Sequence, residues 1–187
     1  MAHPDRLTDL TGLTVTYDNL DGVWRLHSKE HSMIVAISGS VKRGPTSSLY
    51  RSALAVYFGQ DSTRNIFTFI PDETVQEQEA ADLYTAMMAL EIIQSSSLAT
   101  DLKLLVVKTS SSFIPAAMSK RCWALEDGTK QRSTSKRSVK RARFDGWMIE
   151  LHEVCKELEA AGVEVQFWQV GRKLNIVARN LSKASLK

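Results

Sequence analysis

Cysteine is scarce in this chain. Cys122 and Cys155 are too few for a disulfide framework and have no zinc-site spacing, which points to a reducing compartment, the cytoplasm or nucleus. No apolar run approaches the length of a membrane span, and the first residues lack the basic-then-apolar order of a signal peptide, so no membrane partner is expected. The four histidines, His3, His27, His31 and His152, lie in the first 31 residues and in one helical segment, away from the serine-rich stretches. Gly39 and Gly44 have the wrong spacing for a phosphate-cradling glycine loop. Excess charge is also small, with 24 Lys and Arg against 21 Asp and Glu. The chain as a whole is therefore not strongly basic, and the distribution of charge matters more. No internal repeat is visible.

What the sequence does contain is 187 residues with 43% hydrophobic content, enough for one sizeable domain. Met33–Ser40 is a nearly continuous apolar run that ends in Ser-Gly-Ser, as expected of a strand buried on both faces. Residues 1–31 read as an irregular N-terminal arm, with a short strand, packed on residues 32–187 through Trp24. A loop over 41–49 follows the first strand. Further strands are predicted at Ser52–Phe58, Asn65–Ile70, Lys103–Lys108 and Val163–Val170. Helices are predicted over about 75–96, Ile114–Leu125, Asp145–Ala161 and about 174–186. In the first of these, Leu83, Met87, Leu90 and Ile93 form the core stripe; in the third, Trp147, Leu151, Val154 and Leu158 face inward and Gly162 ends the helix. A meander followed by strand–helix alternation implies an α/β fold: a five-stranded mixed sheet, strands 1–3 antiparallel and 1, 4 and 5 parallel, with helices on both faces.

This order resembles the type 1 ribonuclease H family, in its fungal style. Ile37-Ser38-Gly39-Ser40 sits where the family has Thr-Asp-Gly-Ser. Ala81-Asp82-Leu83 with Ala89-Leu90-Glu91 resembles its Ala-Glu-Leu…Ala-Leu-Glu helix, and Thr109-Ser110-Ser111 resembles Thr-Asp-Ser. Asp145-Gly146-Trp147 resembles Asp-Leu-Trp. Val165-Gln166-Phe167-Trp168 through Arg172, Asn175 and Ala178-Arg179 resembles the family's closing Val-Gln-Phe-Trp…Arg…Asn…Ala-Asp. The resemblance implies cleavage of the RNA strand of an RNA–DNA hybrid, with four carboxylates holding two Mg²⁺ ions. In this chain those positions read Ser38, Asp82, Ser110 and Arg179. Only Asp82 remains as a metal ligand, and a guanidinium stays cationic at any relevant pH. The resemblance thus implies a degenerate nuclease, a pseudoenzyme needing no cofactor. Two other readings stay open: an active hybrid ribonuclease that binds Mg²⁺ through substitute acids such as Glu79 or Glu91, and a protein-interaction domain on the same scaffold.

The remaining readings concern binding. Ser38 and Ser110 read as small hydroxyls filling the space of lost carboxylates, because no base is positioned to make either a nucleophile. Arg179 reads as a surface arginine or as the positive element of a groove, paired with Asp82 or with a phosphate. The Ser-rich loop 129–143 carries Lys130, Arg132, Lys136, Arg137, Lys140, Arg141 and Arg143 with no acid. It reads as a solvated loop, a nuclear localisation signal or a phosphate-binding segment. With Arg172 and Arg179 these residues are the expected contacts to an RNA–DNA hybrid or structured RNA. Trp123 is the one tryptophan expected at such an interface; Trp147 and Trp168 are expected in the core. The protein is expected to be intracellular, nuclear or cytoplasmic, with a protein partner allowed and its oligomeric state open.

Overall fold

The computed structural model describes residues 6–44, 49–96, 98, 100–128 and 143–187. Among the described residues, eight strands and five helices follow one another: β1 (Leu7–Thr8), β2 (Val15–Asp18), β3 (Val23–Leu26), β4 (Lys29–Arg43), β5 (Tyr50–Tyr57), β6 (Ile66–Phe69), α1 (Gln78–Gln94), β7 (Leu104–Thr109), α2 (Phe113–Ala116), α3 (Cys122–Glu126), α4 (Asp145–Ala160), β8 (Glu164–Gln169) and α5 (Ile176–Ala184). A π turn joins α2 to α3 and a 3₁₀ turn, Arg172–Asn175, precedes α5. The loop 129–142 lies outside the described residues.

The mixed sheet is organised around β4. One edge of β4 pairs in parallel with β7, which pairs in parallel with β8. The other edge is used twice: its first part pairs antiparallel with β3 and its second, from Ala36 to Arg43, with β5. The five expected strands are all present in the expected pairing, and three more extend the sheet. They come from the segment expected to be irregular, where short alternating stretches are too brief to read as strands but find partners in β4 and β8. The first strand also does not stop at Ser-Gly-Ser. It continues to Arg43, because β5 supplies a partner for every residue of that extension.

Alternation along β4 sorts its side chains between two cores. Met33, Val35 and Ile37 meet α1 and α4 in the main core, with Leu83, Leu90, Leu151 and Leu158. Ile34 faces the opposite side, where Leu10, Leu26, Leu104 and Val106 form a smaller core backed by Trp24 and Trp168. The N-terminal segment is therefore a lid on the second face, with Trp24 packed as expected. In α4 the inward stripe is rotated by one residue from the expected one. Met148 and Cys155 are fully buried, with Leu151 and Leu158, while Trp147 and Val154 are only half-buried. Gly162, at φ 88°, ends that helix. No helix among the described residues is long and apolar enough to cross a membrane.

Gly39 sets how closely α1 approaches the sheet. A Cβ there would lie 2.6 Å from the Ala81 carbonyl carbon and 2.7 Å from the Asp82 nitrogen, both backbone atoms. Neither can swing aside, so Gly39→Ala is expected to displace α1 and to lower stability by about 1–3 kcal/mol in urea unfolding.

Candidate functional site

Where β4, β7, α1 and α5 converge, a cleft of about 770 Å³ opens. Ser38, Asp82, Ser110 and Arg179, drawn from four separate elements, all line it. Asp82 enters from the first turns of α1 and is only 8% exposed. Gln78 Nε2, one helical turn earlier, donates to Asp82 Oδ1 at 2.9 Å and to the Gly39 carbonyl at 3.0 Å. Burial is the strongest influence on Asp82 and pushes its carboxyl up to about 6; hydrogen bonds from Ser111, Gln78 and the Gly39 amide oppose that, and nearby Glu79 adds to it.

Ser38 belongs to the other side of β4, under α5. Ser182 donates to Ser38 Oγ at 3.2 Å, and its hydroxyl lies 2.7 Å from Ser40 Oγ. The three hydroxyls form a buried chain that satisfies the helix–sheet contact without charge. Arg179 does not pair with Asp82. Its Nη1 reaches the Arg172 carbonyl at 3.5 Å, because α5 and α1 sit on opposite faces of the sheet and the Asp82 oxygens are already held by neighbours on the α1 side.

The cleft's charge is the inverse of a metal site's. Among the described residues, Lys42, Arg172, Arg179, Lys183 and Lys187 line it against two acids, Glu79 and Asp82. Of the expected nucleic-acid contacts, Arg172 and Arg179 are in the cleft. Arg143 is elsewhere, ion-paired with Glu77 and stacked 4.8 Å from the Phe144 ring centroid; Lys130, Arg132, Lys136, Arg137, Lys140 and Arg141 lie outside the described residues. Trp123 is occupied within the fold, with the Arg6 guanidinium 4.8 Å from its ring and His152 edge-on at 4.2 Å. Sequence reading missed Gln78, Lys42, Ser182 and Lys183. Gln78 and Lys183 stand four residues from Asp82 and Arg179, a helical spacing that marks them as neighbours. Lys42 and Ser182 emerge only with the lengthened strand and the packed helix.

Comparison with known structures settles the architecture. No family model matches the sequence, and no curated protein matches it. Among solved structures, LC11-RNase H1, isolated from compost by a metagenomic approach, aligns with 82% of this chain and 97% of its own at 13% identity, with a TM-score of 0.51. The foamy viral protease-reverse transcriptase in complex with an RNA/DNA hybrid aligns with 81% of this chain at 12% identity and a TM-score of 0.56. The native prototype foamy virus enzyme aligns at 9% identity and 0.55. The chain has the ribonuclease H fold. It spans 19% and 20% of the two foamy virus polypeptides.

The family resemblance read in the sequence implies a pair of divalent ions, and the residues present do not fit them. Such ions require several oxygen ligands, largely anionic. The cleft offers one half-protonated acid near pH 6, one further carboxylate from Glu79, and five basic side chains. Glu91 is not among the lining residues. Among the described residues, no group of three His, Cys, Asp or Glu side chains gathers as a metal-ligand cluster.

Proposed function

We propose that this ribonuclease H-fold domain binds nucleic acid, an RNA–DNA hybrid or structured RNA, without hydrolysing it. The observation that carries the proposal is the cleft's charge: among the described residues, five basic side chains against two acids where Ser38, Asp82, Ser110 and Arg179 come together. A guanidinium pairs bidentately with phosphate and needs no metal to do so. Arg172, Arg179 and Lys183 would grip consecutive backbone phosphates, with the Thr109–Ser112 hydroxyls as neutral hydrogen-bonding partners. The foamy virus neighbour, solved with an RNA/DNA hybrid, favours that substrate class. In this reading the basic run 129–143 adds a second electrostatic grip, and its Lys136–Arg143 part doubles as a nuclear import signal.

Filter binding of a hybrid over a salt series tests this. Each phosphate contact contributes about 0.9 to the slope of log affinity against log salt. Replacing Arg172, Arg179 and Lys183 together by Gln is expected to flatten the slope by about 2–3. Absence of binding at low salt would favour the protein-interaction reading. Glu79 gives the hydrolytic reading its one structural foothold. Hybrid cleavage with Mg²⁺ or Mn²⁺ that is lost in both Glu79→Gln and Asp82→Asn would establish that reading instead.

A further inference from the structure

A second cavity, of about 250 Å³, lies on the sheet face covered by the start of α5. Its floor is a cross-strand row. Tyr57, Ala36, Lys108 and Trp168 stand side by side on β5, β4, β7 and β8. The small Ala36 between larger neighbours leaves the hollow, Trp24 closes one side, and Ile176 and Val177 form a roof that is about half exposed. Among the described residues the lining is apolar apart from Asn175 and the Tyr57 hydroxyl, and Lys108 is its charged group: the same face of β7 carries Leu104 and Val106 at the preceding alternate positions. The Lys108 ammonium lies 5.3 Å from the Trp168 ring centroid. Among the described residues no carboxylate is paired with it, and burial lowers its pKa with no compensating charge. A lysine that only covered apolar surface with its stem would carry its ammonium out to water. This one is held half-buried over an aromatic floor.

We propose that this cavity is a binding site for a small aromatic carboxylate, one or two rings in size. The rings would stack among Trp24, Tyr57 and Trp168, and the carboxylate would pair with Lys108. A desolvated ammonium lacking an anion gains most from such a partner, and the cavity's volume admits a small molecule rather than a peptide segment.

Naphthoate and the neutral naphthalenemethanol serve as probes, with binding followed by calorimetry and by the indole N–H signals of the tryptophans. Naphthoate is expected to bind and to shift the Trp168 signal, and Lys108→Met, which keeps the apolar stem, is expected to weaken naphthoate at least tenfold while leaving naphthalenemethanol unchanged. Ala36→Leu, which fills the hollow, is expected to abolish binding of both probes. Thermal unfolding of each variant checks that it is folded, and Lys108→Met removes no ion pair. Failure of naphthoate to bind up to its solubility limit, or an unchanged affinity in Lys108→Met, would overturn the proposal.

Discussion

Arg6→Ala is expected to lower the unfolding free energy by about 3 kcal/mol, the lower end of the range for breaking one side of a buried ion pair, because Glu159 keeps 25% of its side-chain exposure. Arg6 is 1% exposed although it lies just before the first strand. Its Nε and Nη2 donate to the two Glu159 oxygens at 2.7 and 2.8 Å, and its Nη1 lies 2.5 Å from His152 Nδ1. The far side of the imidazole continues the network: His152 Nε2 meets Glu126 at 2.9 Å, and Lys156 donates to the other Glu126 oxygen at 2.6 Å. Truncation strands Glu159 and leaves Nδ1 of buried His152 without its Arg6 partner. The planar fork is what fits, so Arg6→Lys is expected to recover only a minor part of the loss. Urea unfolding of the three proteins measures it.

The same network gives a pH dependence with a definite sign. Burial, with the Arg6 charge, lowers the His152 pKa below 6.5, outweighing the Glu126 contact that raises it. The imidazole is therefore neutral in the fold and accepts the Arg6 N–H. Its contribution is full above pH 6.5 and is lost as pH falls below that value, because the unfolded chain then binds the proton more readily. Glu126, held down to about 2 by Lys156 and His152, weakens stability in the same direction at still lower pH.

Asp82→Asn is expected to do the opposite of most buried-polar substitutions: to stabilise the fold, by about 3 kcal/mol at pH 8 and by almost nothing at pH 4. The Asp82 pKa rises from 3.8 to about 6 on folding. The folded state thus holds the proton more tightly, stability falls as pH rises through 4 to 6, and the full penalty is present above that. Asparagine removes the charge while keeping an oxygen for Gln78. The measurement is the difference in unfolding free energy between the two proteins across pH 4–8. A destabilised Asn variant at pH 8 would show that the carboxylate is needed as an anion, as metal binding would require. Because His152 loses stability on acidification and Asp82 gains it, the two contributions partly cancel in the unmodified protein, and Asp82→Asn leaves the His152 dependence uncompensated.

The elements that could be read along the chain are those long enough to show a period. Met33–Ile37, the Leu83–Ile93 stripe and Val163–Val170 identify themselves by burial alone. Segments such as Leu7–Thr8 and Val15–Asp18 carry no such signal, since a two- to four-residue strand is defined by its partner. In α4 the stripe was misplaced by one residue because large Trp147 looks more hydrophobic than Met148 and Cys155. The packing of α4 against α1, α3 and β8 nevertheless buries the smaller pair.

The sequence by itself determined the fold class, the order of its elements and the residue types at positions 38, 82, 110 and 179, because those depend on residue identity and local periodicity. Only the tertiary structure decided what surrounds them. Ser38 is tied to Ser40 and Ser182, Asp82 is buried beside Gly39 with a raised pKa, and Arg179 joins Lys42, Arg172 and Lys183 instead of pairing with Asp82. Charge balance and desolvation are properties of groups brought together from distant parts of the chain, and they exist only once β4, α1 and α5 are packed.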